Sequence, residues 1–203
     1  MELDHLVVSG TTLGPASDWV AQTLGVTMQP GGEHPDFATH NTLLGLEDGL
    51  YLEVISGNPE APYPGRPKMY DLDHFSGPPR LTNWACRTDD MAASLSRLPS
   101  GTGEVMAVSR GDLRWQMAVP VSGQLPYDNY APALLHWEGD LHPIQRLKPS
   151  GCRLISLTVC HPEAAALEAS VADLMHDPRI VFETGPAGLS AQFETPKGPV
   201  TLA

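Results

Sequence analysis

The segment LDHLVVSG, residues 3–10, decides the fold because it opens a pattern that the chain then repeats. It has the apolar run of a buried strand, yet Asp4 and His5 stand before that run, where a core strand would ordinarily begin with Val or Ile. We therefore expect His5 to face a ligand pocket. A helix follows, since side chains from Ala16 to Leu24 keep the i, i+3, i+4 apolar spacing. Three extended stretches come next, at residues 26–29, 42–46 and 50–56.

The order strand, helix, strand, strand, strand recurs further along the chain. Residues 81–87 predict a strand, Thr88-Asp89-Asp90 cap a helix, and the runs EVMAVSRG, LRWQMAVPV and ALLHWEG predict three more strands. A third unit begins with the predicted strand CRLISLTVC, and a helix and three short strands follow it in the sequence. Between the first two units, residues 57–79 are rich in proline and predict a surface loop.

This repetition predicts the α+β fold class. The three units are a first βαβββ module at residues 1–58, a second at 80–142 and a third, βαβββ-like unit at 150–203, which we expect to form one compact domain. A lone curved sheet leaves one face uncovered, so two units should join into a larger curved sheet with the helices outside.

The charge balance argues against nucleic-acid and membrane partners. The chain has 24 acidic and 12 basic side chains, a formal charge of −12, which repels phosphate backbones and anionic lipid surfaces. The N-terminal stretch has neither a basic flank nor a long apolar run. The three cysteines show no CxxC spacing, as expected of reduced thiols. We therefore expect a cytoplasmic protein.

No sequence pattern for a nucleotide or organic cofactor is present. The segments SGTTLG and PGGEHP lack the lysine or the GxGxxG spacing with which a backbone cradles phosphates. No GxSxG nucleophile elbow occurs either. Nucleotide-dependent and serine-hydrolase functions therefore have little support.

Four segments together resemble a known family. They are LDHLVV, GGEHPDFATHNTLLGLEDGLYLEVI, PRLTNWACRTDD and ALLHWEGDLHP. The sequence resembles the glyoxalase-like domain family, a branch of the vicinal oxygen chelate superfamily. The resemblance implies paired βαβββ modules that form a cupped, barrel-like mixed sheet. Its superfamily includes glyoxalase I, extradiol dioxygenases, fosfomycin-modifying transferases and antibiotic-sequestering proteins, so the fold alone does not define an activity.

The resemblance also implies a divalent metal, held by the first and last strands of each module. On this sequence those positions are His5 and Glu53 in the first unit, and Asn83 and His136 in the second. His5, Glu53 and His136 make a two-His-one-carboxylate set, which binds Fe, Mn, Ni or Zn and leaves positions open for substrate. Asn83 departs from the usual His or Gln and is expected to line the pocket. The alternative is structural: a strand-end histidine, an ion-paired glutamate and a solvent-facing histidine.

Other polar residues are expected around the same pocket. His40 and Asn41 stand at the entry to a strand that would neighbour Glu53. Glu138 should share the face of His136, because side chains two residues apart in a strand point the same way.

The same alternation places the tryptophans on the opposite face. Trp84 and Trp137 follow Asn83 and His136 directly, so we expect them to pack under helices. His34 is expected on a loop, and His142 is given no role.

Two functions remain open, besides a third possibility, a scaffold that binds no ligand. The first is a metal-dependent lyase, isomerase or dioxygenase acting on a small oxygenated metabolite, with Glu53 as the catalytic base or as a metal ligand. The second is a metal-free protein that binds a small molecule or sequesters an antibiotic through an apolar lining and hydrogen bonds. The resemblance further implies a homodimer.

Overall fold

The first unit follows the predicted order of elements. The computed structural model describes all residues, 1–203. The unit comprises β1 (Glu2–Ser9), α1 (Leu13–Leu24), β2 (Gln29–His34), β3 (Thr39–Gly45) and β4 (Tyr51–Gly57). Helix α1 ends at Gly25, whose left-handed φ of 70° lets the N–H of Val26 donate to the Ala21 carbonyl at 3.0 Å. The chain then turns back into β2.

The second unit repeats this order and joins the first in one sheet. It comprises β5 (Arg80–Arg87), α2 (Met91–Leu95), β6 (Glu104–Arg110), β7 (Leu113–Val119) and β8 (Ala133–Trp137). The strands form an eight-stranded mixed sheet in the order β2-β3-β4-β1-β5-β8-β7-β6. The opening strands β1 and β5 pair antiparallel at its centre. The α+β class and the cupped sheet of paired modules are therefore confirmed.

The sheet curls until its two outer strands approach each other. Arg110, the last residue of β6, packs on Gly32 of β2, where even a Cβ atom would come within 2.7 Å of the arginine Cδ. Glycine at this position therefore lets the two edges meet. We call this line of contact between β2 and β6 the seam.

The third unit forms a separate sheet. It comprises β9 (Arg153–His161), α3 (Ala164–Val171), β10 (Ile180–Thr184), β11 (Gly188–Thr195) and β12 (Gly198–Leu202). The strand order is β10-β9-β11-β12. Its first strand pairs with the second and third, whereas the first strand of each earlier unit pairs with the last. The order of elements recurs as predicted, but the pairing does not.

The third unit packs against the back of the large sheet at β5. Trp84 is completely buried there, its Nε1 donates to the Tyr130 carbonyl at 2.9 Å, and its ring lies 6.3 Å from that of Phe182. Cys86, on the same side of β5, contacts Met175 through their sulfur atoms at 3.5 Å. Trp84 therefore faces away from the cup, as the alternation predicts.

Two local predictions were wrong. The strand expected at residues 26–29 lies instead at Gln29–His34, over a segment with a proline and two glycines. Proline and glycine are tolerated because β2 is an edge strand, where a missing N–H breaks no ladder. The expected surface loop at 57–79 also buries Met69 and Tyr70, each about 5% exposed. Both segments contribute to the site described below.

The helices of the structure are short. The longest, α1, has 12 residues, and none combines the length and apolar character needed to cross a lipid bilayer.

Candidate functional site

A small cavity lies inside the cup of the eight-stranded sheet. Its volume is about 30 Å³, enough for one or two water molecules. Its polar wall consists of His5, His34, Asn41, Glu53 and Arg110. The rest of its wall is formed by Tyr51, Met69, Tyr70, Trp115, Met117, Leu135 and Trp137. Polar groups from five strands thus meet in a small space whose remaining wall includes the rings of two tyrosines and two tryptophans.

His5 is held in one orientation at the centre of this cavity. Its Nδ1 donates to Asp4 Oδ1 at 2.6 Å, and its ring stacks on Tyr51 with centroids 4.5 Å apart. The other ring nitrogen, Nε2, lies 3.5 Å from Glu53 Oε2. An irregularity in the pairing of β1 with β5 between Leu3 and His5 accompanies the burial of both adjacent polar side chains.

Asp4 anchors the histidine from behind. It is fully buried, and its Oδ2 accepts hydrogen bonds from Trp137 Nε1 at 3.0 Å and from His142 Nε2 at 2.9 Å. Burial alone would raise its pKa, but the hydrogen bonds and charges of His142 and His5 outweigh burial and hold the pKa well below the ordinary range. Asp4 is therefore ionised and compensates a positive charge on His5.

Glu53 faces the histidine from β4. Asn41 Nδ2 donates to its Oε1 at 2.5 Å, and its Oε2 faces His5. Burial would raise the pKa of Glu53, but the hydrogen bond and charge of His5 hold it at about 2. Conversely, burial would lower the pKa of His5, but hydrogen bonds to Asp4 and Glu53 raise it to about 9. At neutral pH the two groups form a buried imidazolium–carboxylate pair.

Asn41 separates this ion pair from the cation at the seam. Its Oδ1 accepts from the backbone N–H of Gly32 at 2.8 Å and from Arg110 Nη1 at 3.1 Å. His34, also buried, has its Nε2 3.4 Å from the same arginine nitrogen. Burial is the main reason that the pKa of His34 falls to about 4, so this ring is neutral and can accept the arginine N–H.

Comparison with known proteins identifies the family. The model of the glyoxalase-like domain matches residues 3–175. The chain belongs to the glyoxalase-like domain family. The predicted resemblance is thereby confirmed. No protein of curated function matches the sequence.

Solved structures resemble this chain at low sequence identity. A hypothetical protein from Staphylococcus aureus matches with a TM-score of 0.61 and 14% identity, over 92% of this chain and 86% of that one. The methylmalonyl-CoA epimerase of Mycobacterium tuberculosis matches with a TM-score of 0.44 and 20% identity, over 69% and 89% of the two chains. That of Streptomyces coelicolor, solved with 2-nitronate-propionyl-CoA, matches with a TM-score of 0.44 and 15% identity, over 68% and 99%.

His136, predicted as a metal ligand of this glyoxalase-like chain, does not reach the cavity. Its Nδ1 bonds to the Thr88 carbonyl at 2.7 Å on the outside of the sheet. Its neighbours Leu135 and Trp137 line the cavity instead, and they pair with the cavity residues Met117 and Trp115 of β7. Matching His136 with Glu53 was thus wrong by one residue, and such a shift moves a side chain to the other face of a strand.

Other predicted pocket residues are divided between the two faces. Asn41 lines the cavity, but His40 points to the opposite face and bonds to Ser56 Oγ at 2.9 Å. Asn83 is buried, and its Nδ2 donates to the Asn129 carbonyl at 2.9 Å, which ties down a loop. Glu138 is exposed, beyond the end of β8. Three of the four predicted pocket positions therefore lie outside the cavity wall.

Two side chains of the cavity could be ligands of the divalent metal that the vicinal oxygen chelate superfamily implies. His5 Nε2 and Glu53 Oε2 face each other, and Asp4 orients the histidine as metal-binding histidines are commonly oriented. However, no group of three or more His, Cys, Asp or Glu side chains is arranged so that it could hold a metal ion, although His34 lines the same cavity. The donor set therefore does not fit a centre with three protein ligands.

Sequence reasoning missed several residues of the site. Trp137, expected under a helix, and His142, given no role, both bind Asp4. His34 and Arg110 belong to the cavity wall only because the sheet curls far enough to bring β2 into contact with β6. One signal was available: His136 stands between the apolar residues Leu135 and Trp137, and this alternation favours an outward histidine.

Proposed function

We propose that the cup is the active site of an acid–base enzyme of the isomerase or lyase type, acting on a small oxygenated molecule. One observation carries this proposal. His5 and Glu53 face each other across 3.5 Å in an enclosed cavity, with the pKa of one raised to about 9 and that of the other lowered to about 2. Two neighbouring groups whose pKa values are driven apart are typical of an acid and a base with assigned roles.

In this proposal Glu53 is the base and His5 is the acid. Glu53 removes a proton from the carbon next to a substrate carbonyl, and the His5 Nε2–H donates a proton to the carbonyl oxygen. The products of the step are an enol, a neutral Glu53 and a neutral His5. Return of the proton to a different face or carbon completes an isomerisation, and both side chains regain their charges.

A carboxylate with a pKa of about 2 is a weak base, so substrate must change its surroundings. The pKa of Glu53 is lowered chiefly by the hydrogen bond and the charge of His5. When a substrate oxygen replaces Glu53 as the acceptor of the His5 Nε2–H, Glu53 loses that hydrogen bond, and burial then raises its pKa. Substrate binding would thereby activate the base only when a carbonyl oxygen is in place.

The remaining residues of the wall support this chemistry. Asp4 and the stacked Tyr51 ring hold His5 in place while it gives up and regains its proton. The aromatic wall, including Trp115 and Trp137, keeps water from the reacting carbon.

The test is exchange of carbon-bound hydrogen with solvent deuterium. Small 2-oxo acids and hydroxycarbonyl compounds are incubated with the protein in deuterated water and followed by NMR. We expect the wild-type protein to accelerate exchange in one of these compounds. Glu53→Gln should slow it by roughly 10²–10⁴-fold, because a positioned base is lost while the side-chain shape is kept.

Glu183→Gln is the matched control, since this glutamate is exposed on the separate sheet and its variant should exchange at the wild-type rate. Equal rates for Glu53→Gln and wild type would refute the assigned base. Binding without exchange in the wild-type protein would favour the alternative, a small-molecule binding protein, for which the aromatic wall is the supporting observation.

A further inference from the structure

Arg110 occupies an unusual position among the charged residues. It ends β6 at the seam and is half-buried. Its hydrogen bonds run from Nη1 alone, to the neutral acceptors Asn41 Oδ1 and His34 Nε2. No Asp or Glu oxygen lies within 4.0 Å of its guanidinium. The Nε and Nη2 donors are therefore left for another partner.

The lack of a carboxylate partner is informative in so acidic a protein. Acidic residues outnumber basic ones by 24 to 12. Five arginines form ion pairs with carboxylates, and Arg80 and Arg114 donate to backbone carbonyls. The two arginines that remain, Arg66 and Arg110, both lie at the seam.

Arg66 adds a second positive charge there. Its guanidinium lies 5.2 Å from the ring of Phe37, which follows β2, and its Nη1 contacts Met106 of β6. Its Nε is the one buried side-chain nitrogen or oxygen in the structure without a hydrogen-bond partner. No Asp or Glu oxygen lies within 4.0 Å of this guanidinium either, so its positive charge adds to that of Arg110 at the seam.

Arg110 also stands between two spaces. On one side is the inner cavity of about 30 Å³, and on the other is an outer groove of about 420 Å³. The outer groove is bounded by apolar residues such as Leu43, Leu113 and Leu147, and by Arg146, which is paired with Asp112. The inner cavity has room only for a carbonyl group and the carbon beside it, so the rest of a ligand has to lie at the seam and in the groove.

We infer that the ligand of this site is a small carboxylic acid with an adjacent carbonyl, a 2-oxo acid or a close relative, whose carboxylate is bound by Arg110. The planar guanidinium donates two parallel hydrogen bonds to a carboxylate. The carbonyl oxygen then reaches His5 and the carbon beyond the carbonyl reaches Glu53 inside the cavity, and a longer apolar remainder extends toward the outer groove. The inference rests on the proposed function and specifies its substrate class.

The inference is tested by binding, separately from catalysis. Isothermal titration calorimetry with pyruvate and 2-oxobutyrate is compared with their methyl esters, which keep the carbonyl and lose the charge. We expect the acids to bind and the esters to bind at least tenfold more weakly. Arg110→Met should weaken binding of the acids at least tenfold, because hydrogen bonds to a charged group are lost, and Arg110→Lys should keep part of the affinity.

Arg114→Met is the matched control, since Arg114 lies on the same hairpin and donates only to the carbonyls of Gly111 and Leu113. It should bind the acids like the wild-type protein. Equal affinity for acids and esters, unchanged affinity in Arg110→Met, or no binding of either acid would each overturn the inference. If the acids bind through Arg110 but no deuterium exchange occurs, the proposed function is wrong and the inference stands. If exchange occurs at the same rate in Arg110→Met, the inference is wrong and the proposed function stands.

Discussion

Replacing His5 with glutamine should remove a specific part of the pH dependence of stability. In the folded protein the pKa of His5 is about 9, against an ordinary value of 6.5. A raised pKa means that the folded state binds the proton more tightly, so protonated His5 stabilises the fold. This contribution is fully present below pH 6.5 and disappears as the pH rises through 9.

The size of the effect follows from the two pKa values. A difference of about 2.5 units corresponds to about 3 kcal/mol of unfolding free energy at low pH. About 2 kcal/mol of it should remain at about pH 7.5 and almost none at about pH 10. Glu53 behaves in the opposite way, because its pKa is lowered from 4.5 to about 2, so its contribution is lost as the pH falls through that range.

The assay is urea unfolding of the wild-type protein and His5→Gln across this pH range. Other groups that titrate near pH 10 are common to both proteins, so the difference between the two unfolding free energies isolates His5. We expect that difference to shrink by about 2 kcal/mol between about pH 7.5 and about pH 10. Parallel curves would show that His5 is not protonated in the folded protein, and the acid assigned to the site would be wrong.

Two further variants test the packing between the two sheets and the position of His136 outside the cavity. Trp84→Ala should lower the unfolding free energy by about 3–5 kcal/mol, because it leaves a cavity at a fully buried site between the two sheets. Urea unfolding measures the loss, and a loss below about 1 kcal/mol would contradict that packing. His136→Ala should leave 2-oxo acid binding within about twofold of the wild-type affinity by calorimetry and cost about 1 kcal/mol of stability, because it loses only its bond to the Thr88 carbonyl. Loss of binding in this variant would restore His136 to the site.

The order of elements could be predicted because each element leaves a local pattern. The run after His5, the helical spacing up to Leu24 and the recurrence at Leu81 reflect which face of each element is buried. The central part of the site followed from the same patterns and from the family resemblance, since His5, Asn41 and Glu53 lie on strands that pair with β4 or form it. The position of β2 was mispredicted because an edge strand does not need the apolar alternation that identifies a central strand.

The α+β class and the special position of His5 in the first strand could be predicted because local hydrophobic patterns and turn residues suffice for these, whereas the family came from the resemblance of four segments. The alternation along β8 favours an outward His136, but its pairing with β7 was needed to establish that Trp137 faces the cup. Only the tertiary structure decided that Arg110 meets His34 and Asn41, because that contact depends on how far eight twisted strands curl before their edges touch. Curvature is a property of the whole sheet, and no single segment of the chain encodes it.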